Sequence, residues 1–194
     1  MTQASHRSPA PGLIGPGRLV LVVGPSGAGK DAVLNGAKAQ CAGDGSIVFP
    51  RRVVTRPAGP YEDHDSLPAE AFERTLNAGF FAFWWEAHGL KYAIPRSADD
   101  AVRAGRVVVC NVSRGIVDAL RARYARVACV AITAPEDVLA ARLAGRARAS
   151  DGSMRARMER NRLFDRMAAD ASIDNGGDLD DAVRALVALL TCGS

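Results

Sequence analysis

Lysine is scarce in this chain. Of 25 basic residues only Lys30, Lys38 and Lys91 are lysines, against 21 acidic residues and a net charge of +4. Arginine is always charged and grips phosphate through a planar fork, so the balance suits anionic ligands, although an arginine and alanine bias of the genome gives the same excess. Long apolar runs are also missing. Phe80 to Trp85, Val127 to Ile132 and Ala185 to Leu190 fall far short of the roughly 18 residues that cross a bilayer, which excludes a membrane-spanning helix. The first 17 residues carry three prolines and three glycines and lack the continuous apolar stretch of a secretory signal; they read as a mobile leader. Cys41, Cys110, Cys129 and Cys192 form no CxxC pair, which argues against a zinc or dithiol site. Cys110 and Cys129 sit in apolar runs, so buried free thiols and a cytoplasmic setting are expected.

What is present suffices for one domain. The chain has 194 residues, 48% of them apolar, the size of a single α/β core with a small insert. Arg18 to Val23 is a buried strand ending at Gly24, and Val33, Leu34, Ala37 and Cys41 then repeat at helical spacing. Val48 to Thr55 reads as a second strand and Pro57 to Pro68 as a loop. Glu70 to Asn77 forms a short helix, and Phe80 to Trp85 with Tyr92 to Ile94 a hairpin across Ala87 to Leu90; residues 51–95 thus make an insert. Trp84 and Trp85 point to opposite faces, one into the core and the other toward a pocket wall, while His88 beside Gly89 reads as a turn residue. Beyond it come a short helix from Ser97, a strand Arg106 to Cys110, and a helix capped by Ser113 that carries Ile116, Val117, Leu120 and Tyr124. Val127 to Ile132 is a strand, Thr133 with Glu136 suggests a capping box, Ala171 to Asp174 is a last strand, and Val183 to Leu190 lies in a closing helix. The alternation predicts a parallel sheet flanked by helices, with ligands at the strand C-termini. The domain spans residues 18–190, and 191–194 form a tail.

Gly24-Pro25-Ser26-Gly27-Ala28-Gly29-Lys30 fits GxxxxGK between a strand and a helix. Its glycines let backbone amides curl around a phosphate, the helix N-terminus adds its positive dipole end, and the lysine reaches the β- and γ-phosphates. Asp31 follows where Ser or Thr usually holds Mg²⁺. Its carboxylate either coordinates that ion, the favoured reading, or serves only as a first-turn acid.

Arg142, Arg146, Arg148, Arg155, Arg157, Arg160, Arg162 and Arg166 crowd one stretch, interrupted by Ser150-Asp151-Gly152-Ser153. Two helices joined by a loop would make an arginine lid over residues 144–157 for phosphoryl transfer; Arg155, Arg162 and Arg166 are the candidates for a merely solvated basic face. The stretch has little aromatic content for base stacking, which argues against a nucleic-acid surface. On the other side, Arg51, Arg52 and Arg56 precede Glu62, Asp63, His64 and Asp65, offering cations for a sugar phosphate and carboxylates for its hydroxyls; a solvated acidic turn explains the latter equally well.

With these segments placed, the sequence resembles the guanylate-kinase-like P-loop kinases over residues 18–190, and most of all their ribose 1,5-bisphosphate phosphokinase branch of phosphonate breakdown. The resemblance rests on Gly24 to Asp31, Val54-Thr55-Arg56-Pro57, Glu62-Asp63-His64, Gly89-Leu90-Lys91-Tyr92, Asn111-Val112-Ser113-Arg114 and Asp174-Asn175. It implies a nucleoside-monophosphate-kinase-like α/β fold with an acceptor-binding insert and an arginine-rich lid. It implies transfer of the ATP γ-phosphoryl to ribose 1,5-bisphosphate, with Mg²⁺ as the ion. Carried over, Gly24, Pro25, Ser26, Gly27, Ala28, Gly29 and Lys30 would cradle ATP, with Arg142, Arg148, Asp174 and Asn175 nearby and Asp31 on the metal. Lys30, Arg146 and Arg157 would be catalytic, and Arg52, Arg56, Glu62, His64, Tyr92, Asn111 and Ser113 would meet the acceptor. Ala58 and Gly59 where guanylate kinases have a second arginine, Tyr92-Ala93-Ile94 in place of Tyr-Gly-Thr, and Asn111-Val112-Ser113 in place of an acidic stretch all weaken guanine recognition. Guanylate kinase and a non-catalytic binding module of the same fold remain as alternatives.

Overall fold

Arg18–Val23 forms strand β1 at the centre of the computed structural model, which describes residues 12–59, 63–144 and 169–192. Its five partly β-branched apolar residues are buried on both faces, as a central parallel strand requires. Leu19, Leu21 and Val23 enter one core and Val20 and Val22 another. After β1 come α1 (Lys30–Gln40), β2 (Ile47–Val48), β3 (Arg52–Val54), β4 (His64–Ser66), α2 (Ala69–Asn77), β5 (Phe81–Ala87) and β6 (Leu90–Pro95). There follow α3 (Ser97–Arg103), β7 (Val107–Asn111), a 3₁₀ turn over Arg114–Ile116, α4 (Val117–Arg121), β8 (Val127–Thr133), α5 (Glu136–Ala144), β9 (Ala171–Asp174) and the closing helix α6 (Leu179–Thr191).

Five strands form a parallel sheet in the order β2-β7-β1-β8-β9. Val33 and Ala37 of α1 and Leu186 and Leu190 of α6 cover one face; α3 and α4 cover the other with Ala98, Val102, Val117 and Leu120. A second sheet, β4-β3-β6-β5, is the insert; Phe72 of α2 packs on its Val53 and Ala93, and Phe83 and Trp85 join it to the main core. The expected parallel sheet flanked by helices is therefore present, whereas the arginine stretch proposed as a lid lies outside the described residues from position 145 onward.

Local differences have physical causes. The expected strand from Val48 to Thr55 is two strands in two sheets, divided around Pro50, whose missing N–H breaks a ladder. The expected loop before Pro68 contains β4, which pairs in parallel with β3 through its backbone; its polar His64-Asp65-Ser66 shows no apolar alternation. The hairpin strands run longer than expected, because the turn is only His88-Gly89, with φ of 57° and 71°. Positive φ at both positions is what a two-residue type I′ hairpin requires. Thr133 belongs to β8, its hydroxyl donating to the Ile173 carbonyl at 3.3 Å, and α5 starts only at Glu136 instead of in the expected capping box. Nor does the leader reach residue 17 as a free arm. Ile14 is buried, bridges to Tyr124 beyond the end of α4, and exchanges backbone bonds with Arg123 and Ala125. Tyr124 in turn donates its buried hydroxyl to Asp99, which Arg123 pairs at 2.7 Å.

Candidate phosphate-transfer site

Where β1 ends, the chain turns at Gly24 close under β8, and a Cβ at that position would run into the Ile132 carbonyl oxygen. The turn closes at Gly29, whose φ of 81° lies in the left-handed region that glycine adopts at little cost. Helix α1 then begins, with Asp31 in its first turn, where a negative charge meets the positive end of the helix dipole. Lys30 folds back over this loop, and its Nζ donates to the carbonyls of Gly24 at 2.9 Å and Pro25 at 3.0 Å. The ammonium is thus held against the loop by two of the loop's own carbonyls.

At the end of β7, the neighbour of β1, Asn111 donates its amide to Asp31 Oδ1 at 2.8 Å. Asn111, Ser113 and Arg114 form one wall of a cleft of about 270 Å³ whose floor is Gly24, Pro25, Ser26, Lys30 and Asp31. The insert supplies the opposite wall. Pairing of Val54 with Tyr92 puts Arg52 and Tyr92 on the same sheet face. The Arg52 guanidinium lies 5.5 Å over the Tyr92 ring, which stacks on Trp85 at 5.4 Å and 10°. Arg56 lines the same cleft and donates to the Pro57 carbonyl at 3.0 Å. Among the described lining residues the cations are Lys30, Arg52, Arg56 and Arg114, and Asp31 is the one carboxylate. Such a surface attracts polyanions.

The remaining expected site residues fall elsewhere. His64 is 2% exposed on β4, with Nδ1 3.2 Å from the Asp65 carbonyl, and does not line this cleft. Asp174 is exposed at the end of β9 and accepts the Gly176 N–H at 2.9 Å. Asn175 is buried behind the loop and donates to the Ala28 carbonyl at 2.7 Å. Arg142 of α5 has a buried Nη1 on the Gly29 side. Glu62, Arg146, Arg148 and Arg157 lie outside the described residues. Arg114 lines the cleft as well, although no site role is expected of it above. Trp85 combines the two roles assigned to separate tryptophans, being 2% exposed yet lining the cleft, whereas Trp84 packs edge-on to Phe72 at 6.4 Å. Arg114 carries the clearer signal: a cation just after the C-terminal end of a parallel strand, where such sheets bind ligands.

Behind the cleft the insert is tied to α1. Asp63 accepts from Lys38 at 2.7 Å and meets Arg51 Nε at 3.0 Å. The Lys38 hydrogen bond holds the Asp63 carboxyl below the ordinary carboxylate range.

No protein-family model matches the chain. Among curated proteins it is 52% identical over 179 residues to a ribose 1,5-bisphosphate phosphokinase PhnN of Bradyrhizobium diazoefficiens, covering 92% of this chain and 90% of that one. It is 53% identical over 183 residues to a protein of the same name from Rhodopseudomonas palustris, with 93% and 92% covered. Among solved structures, guanylate kinase from Anaplasma phagocytophilum superposes with a TM-score of 0.62 at 20% identity, covering 90% of this chain and 84% of that one; the two share a fold.

Proposed function

The chain belongs to the ribose 1,5-bisphosphate phosphokinase family, and from that membership we propose that it transfers the γ-phosphoryl group of ATP to ribose 1,5-bisphosphate, giving 5-phosphoribosyl 1-diphosphate and ADP. The observation that carries the reading to this chain's own residues is the cleft, in which a phosphate loop faces Arg52, Arg56 and Arg114 across about 270 Å³. An acceptor with two phosphates brings more negative charge than a mononucleotide, and three guanidiniums suit it.

An oxygen of the acceptor's C1 phosphate attacks the γ-phosphorus in line, and the bond from that phosphorus to the β,γ-bridging oxygen breaks as ADP leaves. The attacking oxygen is already anionic at neutral pH, so no strong base is required. Positioning and charge do the work. Lys30 passes from the loop carbonyls to the β- and γ-oxygens, and the loop amides hold the phosphates. Arg52, Arg56 and Arg114 hold the acceptor, with Asn111 and Ser113 beside its hydroxyls. Tyr92, itself stacked on Trp85, holds the Arg52 guanidinium against the wall through a cation–π contact.

Asp31 fits Mg²⁺, being a hard oxygen donor next to Lys30 with one oxygen already oriented by Asn111. When bound, the ion would neutralise charge on the phosphate oxygens. Mg²⁺ at nucleotide phosphates commonly needs only one or two carboxylates, the rest of its shell being water and phosphate, so the single Asp31 suffices. A reducing, cytoplasmic setting suits the free Cys41, Cys110, Cys129 and Cys192.

The test is ADP release from Mg-ATP with ribose 1,5-bisphosphate or GMP at matched concentrations, with the product identified by mass. Turnover of the bisphosphate to phosphoribosyl diphosphate is expected. Preference for GMP would overturn the acceptor assignment, and no turnover of either would overturn the kinase reading.

A further inference from the structure

Asn175 follows the last strand of the parallel sheet, and its position is tightly fixed. Its backbone N–H donates to the Thr133 carbonyl at 2.8 Å, which locks it to the end of β8, and the residue is 2% exposed. Its side chain then crosses under the phosphate loop, where Nδ2 donates to the Ala28 carbonyl at 2.7 Å. Oδ1 is buried without a hydrogen-bond partner among the described residues. Rotating the amide by half a turn would set Oδ1 against the Ala28 oxygen, two acceptors face to face, so the donor orientation is the only one that makes a bond here.

Gly29 completes the arrangement. A Cβ on Gly29 would overlap Asn175 Nδ2, and it would lie 3.7 Å from Arg142 Nη1. The space left by the missing side chain is therefore filled by the Asn175 amide, and the two residues fit only as a pair. In a planar trans peptide the C=O and the following N–H point in opposite directions. Pulling the Ala28 carbonyl back toward the buried Asn175 turns the Gly29 N–H away from Asn175, off the buried side of the loop. A phosphate cradle needs this polarity, since a carbonyl swung inward would repel the anion that the amides are meant to bind.

We propose that Asn175 is a positioning residue for phosphoryl transfer, acting on the phosphates of ATP by fixing the Ala28–Gly29 peptide rather than by touching the base. This role differs from the nucleotide-contacting one that the sequence suggested for Asn175. It rests on the loop's binding the phosphates of ATP and is independent of which acceptor is used.

The experiment compares the wild-type chain with Asn175→Ala for direct binding of ATP and of inorganic tripolyphosphate, which has the phosphates and no base. Affinity for both is expected to fall about 10-fold, the loss of one well-placed hydrogen bond and the loop order it maintains, while the acceptor KM stays within about 2-fold. Loss of ATP affinity with tripolyphosphate binding unchanged would mean contact with the base and would overturn the proposal. Unchanged affinity for both would overturn it as well. A purely structural role would lower Tm and the folded fraction without moving the dissociation constant of the folded molecules. If Asn175→Ala does not fold, Asn175→Asp, which keeps the volume but loses the donor when ionised, carries the same comparison. Failure of the wild type to bind tripolyphosphate would sink the inference together with the phosphate-loop reading. Wild-type binding without turnover of ribose 1,5-bisphosphate would strike the acceptor assignment alone.

Discussion

Asn111 donates its side-chain amide to Asp31 Oδ1 at 2.8 Å, linking the end of β7 to the first turn of α1 across the floor of the cleft. One carboxylate oxygen is thereby occupied and the side chain is held in one rotamer, which orders it for a cation. Asn111→Ala is expected to raise the Mg²⁺ concentration for half-maximal turnover by about 10-fold, as loss of a hydrogen bond to a charged group of about 1.5 kcal/mol implies. Asp31→Ala should raise it further. A magnesium titration checks both, and an unchanged requirement in Asn111→Ala would show that Asp31 works without this partner.

Lys30 donates to the loop carbonyls of Gly24 and Pro25, and both acceptors belong to the loop itself rather than to the hydrophobic core. Lys30→Ala should therefore keep the fold and lose about 10²-fold or more in kcat, the scale on which one preorganised cationic donor acts in a transition state. Circular dichroism and an ADP-release assay measure the two quantities. A folded variant with wild-type turnover would remove Lys30 from the chemistry.

The cleft's two walls make separable contributions. Arg52 and Arg56 come from the insert and Arg114 from the 3₁₀ turn after β7, and all three would meet the acceptor in the proposed reaction. Replacing each with alanine should raise the acceptor KM by roughly 10- to 100-fold, the cost of one charged hydrogen bond, and move the ATP KM by less than about 3-fold. Arg52→Lys should recover little, because an ammonium lacks the forked, planar set of donors that binds a phosphate through two hydrogen bonds. Equal changes in both KM values would place these arginines on the nucleotide side instead.

Much of this site is written in local sequence, and the exceptions show what local sequence omits. The loop from Gly24 to Lys30 could be read directly, because glycine spacing between an apolar strand and an amphipathic helix is a one-dimensional signal. Arg52 and Tyr92 could be named as candidates, but their contact depends on the register that sets Val54 opposite Tyr92, and pairing between distant strands leaves no mark in either segment. The same limit hid β4, held by backbone bonds to β3 while its side chains stay polar, and it hid the split around Pro50 that sends β2 and β3 to different sheets. His64 stood out by chemistry in a polar segment, yet it is buried on β4 away from the cleft. Asn175 could likewise be named as a candidate, but its direction of approach, from behind the loop, is a property of three dimensions only.

The Lys38–Asp63 bond ties the insert to α1, and it makes a prediction about acid stability. Asp63 has its carboxyl pKa lowered, first by the hydrogen bond from Lys38 and then, against the opposing effect of partial burial, by the charges of Lys38 and Arg51. A group whose folded-state pKa lies below its unfolded value stabilises the fold above the unfolded value, and that contribution disappears as pH falls through the folded one. Its contribution should thus be fully present near neutrality and lost below about pH 4, where an unfolded aspartate takes up its proton. Because the Asp63 side chain is 34% exposed, the effect is modest and screened by salt. Asp63→Asn should lower Tm slightly at pH 7, and at low ionic strength the gap from wild type should narrow as pH falls below about 4, the unfolded aspartate value, toward the lowered folded one. Thermal melts across that range measure it. A gap that stays constant with pH would mean that the carboxylate's charge is not what fastens the insert to α1.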